Sequence, residues 1–317
     1  MLGEFLSMAV SVGLGLADFP FSSAKAYWEW VDLAEVGGVD SLWQTDRLVS
    51  PIPHLECMSA MAALAGRTRR MKFGMNVASL GLRDPLLMAK QCATIDFLSD
   101  GRLLPAFGVG SAVAPDWGAT GRSPKGSGKI ADEAMELVTR LWREDSVTFE
   151  GEHFNYQAAR IEPKPVQKKI PFWIGGSSKP AIRRTAKFGT GWQAGQETAD
   201  ELPPVLDAIK AALVHEERTI DSDHYGAGFH FRFGNWEDAD LPKRTAAFEK
   251  RTGRDAKKHF AVGDAEDILK RIQGYAAVGI SKFILRPIGL TDSDLLAQTE
   301  RLVSEVIPEA TKFEVRI

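Results

Sequence analysis

The sequence predicts an α/β protein built as a (β/α)8 TIM barrel with insertions. Short apolar runs, typical of buried parallel strands, alternate with helical stretches along all 317 residues. Eight strand–helix pairs fit one barrel of roughly 250 residues that is enlarged by insertions. We therefore predict a single domain over residues 1–317, with insertions at about 110–128, 145–169 and 235–259.

Each predicted strand is an apolar run that turn-forming residues bound on both sides. The predicted barrel strands are Met8–Leu16, Ser41–Gln44, Lys72–Ala78, Leu103–Val109, Pro171–Gly175, Gly191–Gln193, Tyr225–Phe233 and Lys282–Pro287. The segment Val147–Phe154 alternates in polarity and turns at Gly151, so it predicts a β-hairpin outside the barrel.

The predicted helices begin and end at recognisable signals. Asp84 is a candidate N-cap ahead of Pro85, and Gly37 and Gly38 are a helix stop. The predicted helices cover about Ser22–Val36, His54–Leu64, Pro85–Leu98, Ile130–Arg143, Pro180–Phe188, Leu202–Glu217, Lys243–Arg251, Ala265–Val278 and Ser293–Val306.

Composition and charge argue against several kinds of partner. The formal net charge of −3 and the pI near 6.1 argue against a nucleic acid or an anionic membrane. The apolar start at Phe5 follows an acidic Glu4, unlike a secretion signal, and no run reaches the about 20 apolar residues of a membrane span. Cys57 and Cys92 lie in apolar helical stretches, which predicts reduced thiols in a cytoplasmic protein. The absence of CxxC and His-x-His patterns predicts no metal site.

The residues that follow barrel strands are the candidates for function, because such barrels carry their sites at the C-terminal face. The strongest candidate is the turn from Gly175 to Ser178, ahead of a predicted helix. Its glycines allow close approach to an anion, and the helix start offers free N–H groups. An ordinary tight turn with a serine cap explains the same residues. The loops contain no nucleophilic triad or carboxylate pair, which favours chemistry supplied by an organic cofactor.

Longer motifs carry a family resemblance across nearly the whole chain. They are Gly74–Ser79, Arg83–Pro85, Ala89–Lys90, Ala93–Asp96, Leu98–Arg102, Phe107–Ser111, Pro163–Pro165, Pro171–Ser178, Ala186, Gly189, Gly191–Trp192 and Gly279–Leu285. With them the chain closely resembles the luciferase-like flavin-dependent oxidoreductases.

The resemblance implies a flavin seated at the C-terminal ends of the strands. The third strand would end in a bulge with a non-proline cis peptide bond at about Asn76–Val77 or Val77–Ala78, which braces the flavin ring. Ser79 and Ser111 match positions that line the ring, and the Gly175–Ser178 turn matches the phosphate site. The cofactor-binding residues implied in this way are Asn76, Val77, Ala78, Ser79, Ser111, Gly175, Gly176, Ser177 and Ser178.

The sequence departs from the family pattern at two positions. Many members have Asp-His after strand two, where this chain has Asp46 and Arg47. An arginine is no general base at neutral pH, because its pKa exceeds about 12. Arg47 would therefore hold an anionic substrate or a peroxyflavin oxygen, or it would only pair with Asp46. Val113 stands where some deazaflavin dehydrogenases have an acidic residue, which argues against a sugar-phosphate dehydrogenase.

Arg286 ends the last predicted strand and completes the candidate catalytic set with Asp46 and Arg47. Its position suits binding of a phosphate or of a substrate carboxylate or sulfonate. A buried salt bridge under the final helix is the alternative.

Three functions are compatible with these observations. We expect a monooxygenase that takes reduced FMN from a separate flavin reductase and uses O2 to oxidise a small organic substrate. No GxGxxG follows the first strand, so bound NAD(P)H is not expected. The alternatives are a deazaflavin-dependent oxidoreductase that transfers hydride and a non-catalytic flavin-binding barrel. The turn and the bulge serve both cofactors, and the missing histidine leans towards the monooxygenase.

The resemblance also implies a homodimer. Two apolar helices rich in Ala and Met, Leu55–Leu64 and Leu86–Leu98, would form its interface, although covering the barrel explains them equally well.

Overall fold

The computed structural model describes residues 8–238 and 240–315, so the apolar start at 5–7 lies outside the described residues. The chain divides into two compact units. Unit 1 comprises residues 1–43, 193–208 and 221–317, and unit 2 comprises residues 44–192 and 209–220. The prediction of a single domain over the whole chain stays a prediction.

Strands and helices alternate through the described residues, as predicted. The strands are β1 Met8–Ala9, β2 Ser11–Leu16, β3 Ser41–Gln44, β4 Lys72–Met75, β5 Ala78–Ser79, β6 Leu103–Leu104, β7 Ala106–Gly108, β8 Val147–Glu150, β9 Asn155–Ala159, β10 Trp173–Gly175, β11 Gly191–Gln193, β12 Tyr225–Ala227, β13 His230–Phe233, β14 Phe260–Gly263, β15 Lys282–Pro287 and β16 Glu314–Val315. The helices are α1 Ala24–Val36, α2 Cys57–Arg67, α3 Pro85–Leu98, α4 Asp116–Ala119, α5 Ser127–Arg143, α6 Lys179–Phe188, α7 Pro203–His215, α8 Leu241–Thr252, α9 Ala256–His259, α10 Ala265–Ala276, α11 Asp292–Arg301 and α12 Ile307–Ala310.

Unit 1 contains parallel strands around an aromatic and aliphatic core. β15 pairs in parallel with β2 and β12, and β13 pairs in parallel with β14 and β15. The predicted seventh strand is therefore two strands, interrupted at Gly228, where an added Cβ would lie 2.3 Å from the carbonyl oxygen of Ile284. β14 was not predicted, because its short apolar run directly follows the charged insertion and no turn residues separate the two.

The insertion helix α8 is anchored to unit 1 by its apolar residues. Leu241 and Phe248 are buried in a cluster with Ala256, Phe260, Val262 and Ile288. Burial of a large side chain such as Phe248 contributes about 1.5–3 kcal/mol. The insertion is thus a packed part of this unit.

Unit 2 contains the interrupted third strand. β4 pairs in parallel with β6, while β5 pairs with β7 and β7 with β10. Between β4 and β5 the Asn76–Val77 peptide bond is cis, which confirms the bond that the family resemblance implies. The hairpin prediction is also confirmed, since β8 and β9 pair antiparallel.

Buried polar groups fix the surroundings of these strands. The buried Asp96 accepts hydrogen bonds from the backbone N–H groups of Val166 and Gln167, and from the Gln167 side chain. Cys57 and Cys92 are buried free thiols, as predicted. In the part of the chain that the structure describes, no helix combines the length and the apolar character needed to cross a bilayer.

Candidate active site

Asp46, in the loop after β3, holds the bulge of the third strand in place. Its Oδ2 accepts a hydrogen bond from the backbone N–H of Ser79 at 3.0 Å, and Arg83 Nη2 donates to its Oδ1 at 2.6 Å. The Asp46 side chain is only 3% exposed. Because a buried ion pair has well-defined geometry only when its hydrogen bonds are satisfied, this arrangement fixes the loop and the bulge together.

Arg83 is the centre of a larger buried cluster. Its Nη2 also lies 3.0 Å from Glu56 Oε1 and 3.4 Å from Cys57 Sγ. The ligand atoms of Asp46, Glu56 and Cys57 lie within 4.8 Å of one another, which resembles a metal-binding set. The guanidinium supplies the positive charge of this cluster, and burial raises the pKa of Cys57 well above its usual value, so the thiol stays neutral.

Val77, next to the cis bond, brings three strand ends together. A Cβ added at Gly108 would lie 2.8 Å from Val77 Cγ2, and one added at Gly175 would lie 2.8 Å from Val77 Cγ1. Both positions therefore need glycine for the bulge to pack against β7 and β10. The structure thus places the predicted residues of the bulge beside the first residue of the predicted phosphate turn.

The turn itself has the features of an anion site. Gly176 has φ of 102°, a conformation that favours glycine, and its carbonyl oxygen accepts a hydrogen bond from Trp192 Nε1 at 2.9 Å. Ser178 caps α6, with its Oγ accepting from Ala181 N–H. The Oγ of Ser177 is buried and has no hydrogen-bond partner among the described residues. A phosphate group would satisfy this hydroxyl and the free N–H groups of the helix start, so these residues fit the phosphorylated cofactor of the resemblance.

Ser111 lies at the edge of this group of residues. It is exposed, and its carbonyl oxygen accepts a hydrogen bond from Trp117 Nε1 at 2.9 Å. Its neighbour Gly110 approaches the bulge, since an added Cβ there would lie 3.3 Å from Ser79 Oγ. Trp117 belongs to the short helix α4, which was not predicted within the Gly-rich loop.

Arg47 makes only a long contact with a carboxylate. Its Nη1 lies 3.8 Å from Oδ2 of the buried Asp116, and its side chain is 38% exposed. The alternative in which Arg47 pairs with Asp46 is wrong, because Arg83 takes both oxygens of that carboxylate. A contact of 3.8 Å is too long for a hydrogen bond, so the guanidinium keeps its donors for another group.

Arg286 lies in unit 1, at the end of β15 and opposite His230 of β13. It packs over Gly15 of β2, where an added Cβ would lie 3.4 Å from Arg286 Cγ. The salt bridge that we considered for Arg286 is wrong for the described residues. Arg232 forms that bridge instead, with Asp238 at 2.9 Å and with Asp294 of α11 at 2.8 Å.

Sequence reasoning missed Arg83 as part of the site. The signal was present, since Arg83 stands in a quoted motif directly after the third strand. A buried arginine needs an acidic partner, and Asp46 follows the neighbouring predicted strand at the same end of the barrel.

The model of the luciferase-like monooxygenase family matches residues 2–240. The chain belongs to this family. The predicted family is confirmed.

Two relatives differ in how much they share with this chain. An uncharacterized protein of Mycobacterium tuberculosis is 33% identical over 159 residues, which cover 50% of this chain and 54% of that protein. The chain thus spans about half of that relative's length. An F420-dependent glucose-6-phosphate dehydrogenase of Kineococcus radiotolerans is 26% identical over 313 residues, covering 87% of this chain and 90% of the relative.

Solved structures of the family confirm the fold class. An F420-dependent secondary alcohol dehydrogenase in complex with an F420-acetone adduct superposes with a TM-score of 0.82 at 18% identity, over 96% of this chain and 100% of that one. The oxygenating constituent of the 3,6-diketocamphane monooxygenase of Pseudomonas putida, in complex with FMN, superposes with a TM-score of 0.77 at 16% identity, over 95% and 99%. The chain therefore has the luciferase-like TIM-barrel fold that the sequence predicts.

Proposed function

We propose that this protein is an oxidoreductase that uses a deazaflavin coenzyme to transfer hydride to or from a small organic substrate. The observation that carries the proposal is the Gly175–Ser178 turn, which packs against Val77 and contains a buried serine hydroxyl that has no hydrogen-bond partner within residues 8–238 and 240–315. Relatives that cover most of this chain carry names of F420-dependent dehydrogenases, which supports the deazaflavin over FMN. This reverses the preference that the sequence alone suggested.

Two groups of residues would hold the coenzyme. Ser177, Ser178 and the N-terminus of α6 would bind its phosphate. Val77 and Ser79 would support its ring, held in place by Asp46 and Arg83. When bound, the coenzyme supplies the carbon that accepts or donates a hydride. Asp46 is then a positioning residue, since each of its carboxylate oxygens is already engaged.

Arg47 would bind an oxygen of the substrate. Its weak contact with Asp116 leaves its guanidinium donors available, and its charge does not change at neutral pH. It would orient the substrate and stabilise negative charge on that oxygen, without accepting a proton.

A two-component FMN monooxygenase is the second candidate. Arg47 at the position of the usual histidine favours it, as does the fold's likeness to an FMN-containing monooxygenase. In that case a separate flavin reductase would supply reduced FMN.

Titration of the purified protein with F420 and with FMN, in oxidised and reduced forms, tests the proposal. We expect F420 to bind at least tenfold more tightly than FMN, with no oxygen uptake by the reduced complex. Tighter binding of reduced FMN, followed by oxygen consumption, would replace the proposal with the second candidate. Binding of neither coenzyme would contradict both.

We also propose a cytoplasmic homodimer. The outer side of α3 exposes Leu87, Phe97 and Leu98, each more than half accessible, which supports a helix-to-helix interface. The two buried free thiols support a reducing compartment. Sedimentation equilibrium of the wild type and of Leu98→Glu tests the dimer, because a charge on this face would dissociate it.

A further inference from the structure

The insertion helix α8 presents two arginines on the same side as its buried anchor. Arg244 and Arg251 lie four residues before and three residues after Phe248, so the three side chains share one face of the helix. Phe248 packs against Phe260 of β14 at 5.1 Å between ring centroids. Arg244 Nη2 lies 3.4 Å from the carbonyl oxygen of Gly289, in the loop after β15. The cationic face of α8 therefore meets the ends of β14 and β15.

Arg286 lies near the end of β15, and His230 is the first residue of the neighbouring strand β13. They are opposite each other in the β13–β15 ladder, and the His230 ring packs at 4.7 Å from the ring of Phe260. Gly15 provides the space over which the Arg286 side chain extends. Phe260 packs against both His230 and Phe248, and Arg251 follows Phe248 by one turn on the same face of α8. We refer to Arg251, Arg286 and His230, all in unit 1, as one cluster.

The carboxylates near this cluster are engaged elsewhere. Asp238 and Asp294 bind Arg232, and Glu249 accepts a hydrogen bond from the backbone N–H of Ala256. Among residues 8–238 and 240–315, no carboxylate forms an ion pair with Arg251 or Arg286. The cluster therefore carries positive charge that the described protein does not neutralise.

The charges of this cluster affect one another strongly. Burial, followed by the charge of Arg251, lowers the pKa of Arg286 to about 10. Burial, followed by Arg286 and Arg251, lowers the pKa of His230 to about 3, so its ring is neutral at pH 7 and keeps one N–H donor. Neighbouring positive charges repel each other unless an anion lies between them, and an arginine binds an oxyanion with two parallel hydrogen bonds.

We propose that Arg286 and Arg251, with His230 beside them, bind the oxyanion group of a small anionic substrate, which is a carboxylate, a phosphate or a sulfonate. The assignment of this ligand as the substrate rests on the proposed oxidoreductase function. The binding site itself does not, because it is built from unit 1 alone and needs no coenzyme. The insertion then has a defined role, since it supplies the second arginine.

Sulfate binding tests the site without any coenzyme. The midpoint of thermal unfolding is followed against sulfate concentration at constant ionic strength for the wild type, Arg286→Gln, Arg251→Gln and Lys250→Gln. The exposed Lys250 neighbours Arg251 on α8 and serves as the matched control. We expect the half-saturating sulfate concentration to rise at least tenfold in Arg286→Gln, at least threefold in Arg251→Gln and not at all in Lys250→Gln. The Gly175–Ser178 turn responds equally in all four proteins, so an identical sulfate response in all four would overturn the proposal.

A crystal soaked in selenate locates the anion directly. We expect an anomalous selenium peak within hydrogen-bond distance of Arg251 and Arg286. A peak at the Gly175–Ser178 turn only would overturn the proposal while supporting the coenzyme site. If Arg286→Gln fails to fold, the proposal is tested by Arg251→Gln, which changes an exposed side chain, and by the position of the selenate. A further outcome is that the wild type binds sulfate in the expected arginine-dependent way and still does not bind F420. That result would contradict the proposed function but would support the anion site.

Discussion

Arg83 and Arg286 both follow strands of the fold, yet their surroundings are opposite. Arg83 is enclosed by Asp46, Glu56 and Cys57. Burial alone would lower its pKa, but the carboxylates of Asp46 and Glu56 raise it above the usual value. Arg286 has a second arginine as its charged neighbour, and its pKa is lowered. A cation with its anions already in place is part of the scaffold, while a cation without them is available to a ligand.

The largest expected effect comes from neutralising Asp46, the buried carboxylate that pairs with Arg83. Asp46→Asn leaves the buried guanidinium with one partner fewer and should lower the free energy of unfolding by about 3–5 kcal/mol. It should also weaken F420 binding more than tenfold, because the Ser79 bulge loses its support. Urea denaturation and coenzyme titration measure the two effects. The control is Asp132→Asn, whose half-exposed carboxylate binds Arg184 and should cost at most about 1 kcal/mol.

The cation-rich cluster should make stability sensitive to acid. The pKa of His230 is about 3 in the folded protein and about 6.5 in the unfolded chain, so the unfolded state binds the extra proton between these values. The free energy of unfolding should fall by about 2 kcal/mol between pH 6.5 and pH 4.5 on account of this residue. His230→Gln should remove that part of the loss, as urea denaturation at both pH values would detect. An unchanged pH dependence, equal to that of the exposed control His215→Gln, would contradict the cluster's electrostatics.

Arg47 is intermediate between Arg83 and Arg286, because its one acidic neighbour, Asp116, lies too far away for a hydrogen bond. We expect Arg47→Ala to lower turnover at least tenfold while coenzyme affinity and stability change little, because its contact at 3.8 Å contributes almost nothing to folding. Steady-state kinetics and coenzyme titration separate these quantities. Unchanged turnover would place Arg47 with the scaffold cations.

The smallest expected effect concerns the two serines of the turn. Ser177→Ala should weaken coenzyme binding about fivefold without loss of stability, because its hydroxyl makes no hydrogen bond to the described part of the chain. Ser178→Ala should instead lower the free energy of unfolding by about 1 kcal/mol, since it removes the N-cap of α6. Parallel coenzyme titrations and urea denaturation compare the two variants. Equal behaviour in both measurements would contradict the separate roles.

The sequence predicted the fold because the strands are apolar and the helices carry clear boundary signals. Ser41–Gln44 and Gly191–Gln193 agree with the structure residue for residue, and Pro85 and Asp84 mark the start of α3 as predicted. β14 was missed because it directly follows the charged insertion and was not separated from it, and α4 because its glycine-rich surroundings indicate a loop. The cis bond was predictable only through the family resemblance.

The site was predicted less completely, since ion pairing depends on contacts that are distant in sequence. The sequence placed Asp46 next to Arg47, but the structure pairs it with Arg83, which is 37 positions away. The sequence likewise could not show that Arg232, and not Arg286, forms the ion pair with Asp294 of α11. Both ion pairs depend on side-chain geometry, which the hydrophobic periodicity of a sequence does not reveal.

The anchoring of α8 by Phe248 and Leu241 has a consequence for protein engineering. The buried side chains of the helix belong to one apolar cluster of unit 1, and Arg251 is not part of that cluster. Grafting a helix with the same two anchors and different polar residues would therefore redirect the enzyme to neutral or cationic compounds without redesigning the coenzyme seat. Substrate selectivity could then be changed without changing the redox chemistry.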